Sequence, residues 1–526
     1  MAGPALLICV GAVALAAALF DCVLLSGGEG IPLFVTSDTL LPMHMAWDTH
    51  RFPAAWAAYQ WPRIPSLIPD MAYFHSAERL GIGWRGAWLG FIPLQLGLLA
   101  LGIGAIVGRV QRRGLAVGAA QAGLALTTWM LALAGLAAAT GLGPWSAILL
   151  VLMPVTHGSG FVFSLFAAGT ADAALHGNRR ALWATIALCL LGAFSDLLFV
   201  IAFLIPLAAA TRVAVLRPIM ARGELQSLLD PRTWLRLLTH NGALLYGSML
   251  ACLIGWAGQR LVNLQPLGTY LLRSPRDALP QMLADFPHTP WTGLLIAGSI
   301  ALIAKAVGGL RQPAGTNATD HDSARFLIDF SAVAAVMGLA LVAVTYVDPS
   351  SWRYGMTCIW WPLTIGLALR ASVKGSAIGS AARSGVAYAL GGALLLAAVM
   401  LVTVRPPPLL TWHSPLETCL SGARARLGLR HGLAPYWLAR ATEASSDWQL
   451  QVRPIADDGS SLPWGDDPTL FTRDANIAGA PSHFNFVVVD HSTNRAAVLQ
   501  KFGTPIARDP CPDAELWTYG DWLSPT

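Results

Sequence analysis

The sequence predicts an α-helical polytopic membrane protein with about eleven spans, followed by a small extracytoplasmic α/β domain. Of its 526 residues, 55% are hydrophobic and only 12% are charged, whereas soluble domains average roughly 45–50% and 25%. Apolar runs long enough to cross a hydrocarbon core of about 30 Å recur along roughly the first three quarters of the chain. The arginines behind the net charge of +5 concentrate in the short loops between these runs, where positive charge orients spans. These features favour a membrane protein over a water-soluble globule and imply no nucleic-acid partner.

The candidate spans are apolar segments flanked by arginine, tryptophan or glycine. They cover residues 5–25, 87–108, 115–137, 146–174, 181–194, 197–211, 241–258, 291–308, 326–347, 356–370 and 384–404. The first segment lacks a basic n-region and a small-residue cleavage site, so we expect an uncleaved helix rather than a signal peptide. The arginine-bearing loops place the N-terminus in the cytoplasm and the C-terminus outside.

The stretch between Arg180 and Arg212 decides this sidedness. Both arginines mark cytoplasmic loops, so the chain between them must enter and leave the membrane on one side, with a turn near Ser195-Asp196. Two helices of about 14 residues reach only about 21 Å each, which predicts a short hairpin buried in protein. The alternative is one long tilted helix, which would place the C-terminal domain in the cytoplasm.

We divide the chain into a transmembrane domain, residues 1–404, with a first extracytoplasmic loop at 26–86, and a periplasmic α/β domain, residues 405–526. The second domain has helical patterns near 416–426 and 434–442 and strand-like runs near 449–455, 484–489 and 496–500. Its two cysteines are Cys419 and Cys511, and an exported domain favours a disulfide between them. We expect this domain to pack over the first loop as a cap.

The first loop carries the polar residues best suited to chemistry. Residues 36–51 contain two carboxylates, Asp38 and Asp48, with two histidines and an arginine. A carboxylate at a membrane face is unfavourable unless it is solvated, paired or functional. We therefore expect Asp38 or Asp48 to be catalytic or to position substrate, with a helix N-cap as the alternative for each. Asp70 and His75 are further candidate substrate contacts, although an aspartate after a proline also suits a turn.

This arrangement resembles the integral-membrane glycosyltransferases of the GT-C superfamily: an aspartate soon after the first span, a long first loop, many spans with short hairpins, and a C-terminal extracytoplasmic domain. The resemblance implies an inverting transferase of a bacterial inner membrane that moves a sugar from a polyprenyl-phosphate donor to a glycan, lipid or protein acceptor. The family's early acidic residue falls on Asp38, with Asp48 as the competing assignment. The acidic pair that some members carry there is not present, which leaves a requirement for Mg²⁺ or Mn²⁺ open.

Such a transfer needs a carboxylate to align or deprotonate the acceptor hydroxyl and cations to stabilise the departing phosphate. The candidate cations are Arg63 in the first loop, Arg273 in the second, and Arg353, because an arginine fork can hold a phosphate through two hydrogen bonds. Arg353 lies between Trp352 and Tyr354, which are candidate substrate contacts with it. An interfacial anchor is the alternative for this segment.

Two ionisable residues fall inside predicted spans, where such groups usually mark a functional site. His157 follows a proline and precedes two glycines, and Asp196 lies between the two hairpin arms. We include both among the candidate substrate contacts. A hydrogen-bonded helix break for His157 and a solvated hairpin tip for Asp196 are the structural alternatives.

Two other functions compete with the transferase. A transporter or flippase for lipid-linked saccharides would favour inverted repeats and charge at mid-membrane depth. A non-catalytic envelope assembly protein would use the spans as a scaffold for the C-terminal domain and would not need Asp38.

Overall fold

A computed structural model describes residues 2–26, 30–51, 59, 66–221, 230–239, 241–261, 275–285, 291–310, 318–370, 380–429, 431–463, 466, 468–472 and 483–525. The α-helices of these residues, in chain order, are α1 Ala2–Cys22, α2 Gly30–Phe34, α3 Ser37–Arg51, α4 Ala72–Arg79, α5 Trp84–Val110, α6 Leu115–Thr140, α7 Ser146–Leu149, α8 Gly158–Leu175, α9 Arg179–Ser195, α10 Ile205–Ala221, α11 Pro231–Thr239, α12 Gly242–Leu261, α13 Pro275–Asp285, α14 Trp291–Leu310, α15 Ala318–Thr345, α16 Met356–Arg370, α17 Ser380–Val404, α18 Pro415–Leu427, α19 Tyr436–Ser445 and α20 Arg495–Phe502. The strands are β1 His431–Pro435, β2 Gln451–Ile455, β3 Phe484–Asp490, β4 Ala507–Cys511 and β5 Ala514–Leu523.

The chain is mostly helical, and seven described segments are long and apolar enough to cross a membrane. They are Gly3–Ser26, Trp84–Val110, Leu115–Thr140, Gly158–Leu175, Val200–Arg217, Ser323–Thr345 and Val386–Val404. The predicted total of eleven is therefore not reached by this criterion. Helices α9 and α16 have 17 and 15 residues, and at about 1.5 Å per residue they fall short of a hydrocarbon core of about 30 Å.

The described residues form two compact units. A helical unit lies within Met1–Gly27, Ile92–Leu261 and Thr269–Pro406. A mixed unit contains described residues of Gly28–Phe91 and of Pro407–Thr526. The described residues between 30 and 86, which the sequence grouped with the spans, thus belong to the same unit as the C-terminal domain.

Close helix packing in the helical unit depends on small residues. Helix α1 packs against α6 and α17, and α9 packs against α8 and α12. Where α5 meets α6, a Cβ atom added to Gly118 would lie 2.1 Å from the carbonyl oxygen of Gly104. Only glycine lets two membrane helices approach this closely.

Two predicted segments are broken in the structure. The span predicted at 146–174 ends its first part in short turns at Leu150–Leu152 and restarts as α8 after His157. Helix α9 ends at Ser195, and the chain resumes with a π-helical turn at Val200–Leu204 and then α10. This second break lies where the sequence predicted a turn, so residues 181–211 do not form one continuous helix. The two helices pack against different neighbours, since α10 lies along α15.

The C-terminal part of the mixed unit is a five-stranded sheet of order β2-β1-β3-β5-β4, with β1 parallel to β2 and β3, and β5 antiparallel to β3 and β4. Apolar side chains cover both faces. One core contains Leu420 and Phe486, and the other contains Val487 and Val498. Successive side chains of β3 point to opposite faces of the sheet, and helices pack against the apolar core on each face. The domain therefore has an α/β/α arrangement.

One strand prediction is wrong. Residues 496–500 form α20, because the Asn494 side chain caps the helix by accepting a hydrogen bond from the Ala497 amide, as asparagine does at N-caps. A disulfide joins Cys419 of α18 to Cys511 of β4.

Candidate functional site

A cleft at one end of the helical unit brings four predicted residues together. His157, Asp196, Arg353 and Tyr354 line it with apolar side chains that include Phe161. At the far end of the same helices, Arg109 pairs with Asp172 of α8 and Arg217 pairs with Asp329 of α15. The helical unit therefore has one end with arginine–aspartate pairs and another with a histidine, a carboxylate and an arginine facing a cavity.

The histidine–carboxylate pair in the cleft is buried and directly bonded. His157 Nδ1 lies 3.0 Å from Asp196 Oδ2, and the other oxygen of Asp196 accepts a hydrogen bond from the Leu198 amide at 2.9 Å. The carboxylate is thus held at the break after α9 by its own backbone. With Nδ1 hydrogen-bonded to the carboxylate, Nε2 is the basic nitrogen of a neutral imidazole.

Backbone strain accumulates beside this pair. His157 has φ of 71° and Val155 has φ of 60°. A branched residue such as valine is unfavourable in this left-handed region, and strained residues persist where surrounding structure over-determines them, commonly at functional sites. Thr156 between them donates to the Met153 carbonyl at 2.8 Å, which helps to fix the turn.

Space for the carboxylate depends on a glycine of α8. A Cβ atom at Gly160 would lie 2.5 Å from Asp196 Oδ2. Gly160 is therefore required for the His157–Asp196 pair, because a side chain at this position would occupy the space of the Asp196 carboxylate.

The arginine and tyrosine are positioned by a capped 3₁₀ turn, Pro349–Gly355. Asp348 starts the turn by accepting from the Ser350 amide at 2.7 Å. Arg353 donates to the Tyr354 hydroxyl at 3.3 Å, and the Tyr354 ring lies 5.1 Å from the His157 ring. Trp352 is buried beside them. The predicted aromatic–arginine segment thus adjoins the histidine.

The cleft is narrow in this conformation. Its volume is about 30 Å³, enough for one or two water molecules. A ligand much larger than water does not fit in this volume. The cavity is surrounded by the two helix breaks and the capped turn rather than by continuous helices.

In the mixed unit, Asp38 is oriented by the C-terminal domain. Thr36 and Thr39 cap α3 through reciprocal backbone-to-side-chain hydrogen bonds, so Asp38 is in the first turn and is not the N-cap. Its Oδ1 accepts a hydrogen bond from the Tyr436 hydroxyl at 2.7 Å, and that hydroxyl accepts one from Arg440 at 3.0 Å. The half-buried carboxylate is held by a buried arginine through a tyrosine.

Asp48, the competing candidate, lies within a fully buried ion cluster. Its Oδ2 is 3.2 Å from His44 Nε2 and 3.3 Å from Arg453 Nη1. Arg453 also bonds Asp466 at 3.0 Å, and His44 Nδ1 lies 3.4 Å from Glu443 Oε2. Since these side chains are at most 1% exposed, Asp48 is closed to a substrate here and holds α3 against the C-terminal domain.

The cluster perturbs the proton affinities of its members. Burial alone would lower the pKa of His44, but the surrounding carboxylates outweigh it and raise the pKa. Burial raises the pKa of Glu443 to about 7, although Arg453 and His44 act to lower it. Burial would raise the pKa of Asp466, but Arg453 and His44 hold it below its usual range.

The donor set of this cluster does not fit a metal ion. His44, Asp48 and Asp466 offer ligand atoms within 4.8 Å of one another. Arg453 Nη1, however, lies 3.0 Å from His44 Nε2 and 3.0–3.3 Å from the two aspartates. The guanidinium already supplies a positive charge at the point where the three ligands converge, and a divalent cation there would be repelled.

Two further predicted residues, Asp70 and His75, lie just before α4 and on α4. Asp70 is buried in a π-helical turn at Leu67–Met71. His75 lies on α4, where burial and then Arg79 lower its pKa. Arg63 and Arg273 lie outside the described residues.

Sequence reasoning missed the C-terminal half of the ion cluster. Helical spacing offered a signal, because His44 and Asp48 are four residues apart and Arg440 follows Tyr436 by four, which places each pair on one helix face. This spacing did not show that the face of α3 with His44 and Asp48 packs against the face of α19 with Tyr436 and Arg440. Arg453 lies in β2, and no local pattern connects it to α3.

No protein-family model, curated protein or solved structure matches this chain, so its function has to be argued from the geometry of these side chains.

Proposed function

We propose that this protein is a GT-C-like membrane glycosyltransferase with about eleven spans that transfers a sugar from a polyprenyl-phosphate donor to a cell-envelope acceptor. The observation that carries the proposal is the cleft, where the buried pair His157–Asp196 lies beside Arg353 and Tyr354. A base, a group that orients it and a cation are the parts required to exchange a phosphate for a hydroxyl at a sugar carbon.

The chemistry assigns one role to each group. His157 Nε2 takes the proton of the acceptor hydroxyl as its oxygen bonds to the anomeric carbon. The bond from that carbon to the phosphate oxygen breaks, and the lipid phosphate leaves with the electron pair. Asp196 stabilises the imidazolium that forms, and Arg353 binds the departing phosphate through charge-assisted hydrogen bonds.

The sidedness of the proposal follows from the ends of the helices. The pairs of Arg109 and Arg217 lie at the end opposite the cleft, and arginines favour the cytoplasmic side. The cleft then faces the periplasm of a bacterial inner membrane. The Cys419–Cys511 disulfide supports an oxidising location for the C-terminal domain.

The test is transfer of radiolabelled sugar from a panel of polyprenyl-phosphate sugars to envelope acceptors, with Mg²⁺ and Mn²⁺ tested separately. We expect purified wild type to transfer at least one sugar, and His157→Asn to lose at least about a hundredfold, as for general bases. Asparagine tolerates the positive φ at this position, so the backbone is preserved. Asp196→Asn should lose activity similarly.

The matched control is His176→Asn. His176 also pairs with an aspartate, Asp172, at 3.7 Å, but at the opposite end of α8. We expect it to retain activity. Wild type that transfers no sugar from the panel, or equal activity in His157→Asn, would contradict the proposal.

A transporter for anionic lipid-linked saccharides is the second candidate, favoured by one feature. The ionisable residues of the cleft lie at breaks after Ser195 and before Gly158, and interrupted helices carry the binding sites of many transporters. Uptake of a fluorescent polyprenyl-phosphate saccharide across proteoliposomes, abolished by Arg353→Met, without sugar transfer, would select this function.

A further inference from the structure

We propose that the buried cluster of the mixed unit binds one proton and that its loss above neutral pH loosens α3 from the C-terminal domain. The cluster consists of His44, Asp48, Arg440, Glu443, Arg453 and Asp466. This device is independent of the proposed transferase activity and needs no substrate to be observed.

The first argument is a charge count. The cluster holds three carboxylates and two guanidiniums, and each of these groups is at most 1% exposed. With a neutral imidazole the cluster has a net charge of minus one, and one added proton makes it neutral. A buried charge without a counter-charge is strongly unfavourable. When these residues are buried together, the cluster is therefore more stable with the added proton than without it.

The second argument is the place for that proton. His44 Nδ1 and Glu443 Oε2 are 3.4 Å apart. Among the described residues, His44 Nδ1 and both carboxylate oxygens of Glu443 make no hydrogen bond of ordinary geometry. A buried carboxylate without hydrogen-bond donors favours its neutral form. The proton therefore resides on this pair, whereas Asp48 and Asp466 are neutralised by Arg453.

The third argument is that the pair joins different parts of the chain. His44 lies on α3, Glu443 on α19, and the two helices pack against each other. Among the described residues, the charged and titratable groups on α3 and the elements packed against it include Asp38, Asp48, His50 and Arg51 on α3, Tyr59 and Asp70 before α4, His75, Glu78 and Arg79 on α4, Tyr436 and Arg440 on α19, Arg453 on β2, and Asp466 after β2. His50 and Glu78 pair at the exposed side of α3, with His50 Nδ1 3.4 Å from Glu78 Oε1.

Docking of α3 affects Asp38 directly. The same helix that carries His44 also carries Asp38, and α19 carries both Glu443 and Tyr436. Separation of the two helices would break the hydrogen bond from Tyr436 to Asp38. The proton thus controls how the first-loop carboxylate is oriented.

The sign and size of the pH effect follow from Glu443. Its pKa is raised by burial to about 7 in the docked state, against about 4.5 when exposed. Protonation of Glu443 stabilises the docked state of α3 fully below pH 4.5, and this stabilisation is lost as the pH rises through 7. Linkage of one proton then weakens docking about tenfold between pH 6 and pH 8. His44, whose pKa is also raised, shares this one proton with Glu443 across their 3.4 Å contact.

The experiment is hydrogen–deuterium exchange of the full chain in nanodiscs at pH 6, 7 and 8, corrected for intrinsic exchange. In wild type, we expect amide protection within residues 37–51 to fall about tenfold from pH 6 to pH 8. Glu443→Gln removes the titrating charge and leaves the cluster neutral, so it should keep the protection of pH 6 at pH 8. This variant gains stability, and a failure to fold cannot imitate the result.

The control is His413→Gln. His413 pairs with Glu417 at 3.1 Å in the same unit, but it is 51% exposed, and we expect its substitution to leave the pH profile of residues 37–51 unchanged. Equal protection of this segment at pH 6 and pH 8 in wild type would overturn the proposal. So would a tenfold change that persists in Glu443→Gln.

Discussion

The cleft of the helical unit and the ion cluster of the mixed unit are built from the same residue types. Each has a histidine beside a carboxylate, at 3.0 Å in the cleft and 3.2 Å in the cluster, and each has an arginine. In the cluster, Arg453 lies between two aspartates and is 1% exposed. In the cleft, Arg353 is half-buried and donates a hydrogen bond to the Tyr354 hydroxyl. Access to a cavity, rather than residue type, separates a candidate catalytic group from a structural one.

The largest effect that tests this comparison is loss of the cluster's central cation. Arg453→Met leaves Asp48 and Asp466 buried without their common partner, which should destabilise the mixed unit by about 3–5 kcal/mol. Protection of β2 and α3 in hydrogen exchange measures it. Arg495→Met is the control, because its pair with Glu515 is exposed and such pairs contribute about 0–1 kcal/mol. Equal effects of the two substitutions would show that the cluster does not hold the unit together.

The next effect concerns room in the cleft. Gly160→Ala places a Cβ atom against the Asp196 carboxylate, and displacement of a positioned group by about 1 Å can lower a rate about a hundredfold. We expect that loss in the sugar-transfer assay, with normal folding by chromatography.

The matched control for this substitution is Gly169→Ala, on the same helix. Its added Cβ would lie 3.7 Å from the side chain of Ala105, an ordinary contact, so transfer should be unchanged. Full activity in Gly160→Ala would remove Asp196 from the proposed machinery.

The smallest expected effect comes from removing the hydrogen bond between Asp38 and the C-terminal domain. Tyr436→Phe removes the hydroxyl between Arg440 and Asp38, which should reduce protection of α3 by about 1.5–3 kcal/mol, as for a hydrogen bond to a charged group. In Tyr519→Phe, the lost hydroxyl has no hydrogen-bond partner among the described residues, so we expect little change. A larger effect of Tyr519→Phe than of Tyr436→Phe would contradict this assignment.

Several features of the fold could be read from sequence because they arise locally. The apolar runs of α1, α5, α6 and α17 have the length and composition of spans, and the break after Ser195 coincides with the aspartate that interrupts an apolar stretch. Residues 496–500 show the limit of this approach. Their short apolar pattern is compatible with a strand or a helix. The hydrogen bond from the Ala497 amide to the Asn494 side chain stabilises the helix.

Composition and local pattern suffice to show that the chain is helical and apolar, that Asp38, Asp48, His157, Asp196 and Arg353 are unusual at their positions, and that Cys419 and Cys511 are available to pair. They do not show which charges meet, because that depends on packing between distant segments. His157 and Asp196 are 39 residues apart, whereas His44 and Arg453 are 409 residues apart. Sequence periodicity specifies the face of one helix, but the partner on the opposing surface is selected by packing across the whole unit. That packing buries Asp48 among counter-charges and leaves His157 at a cavity.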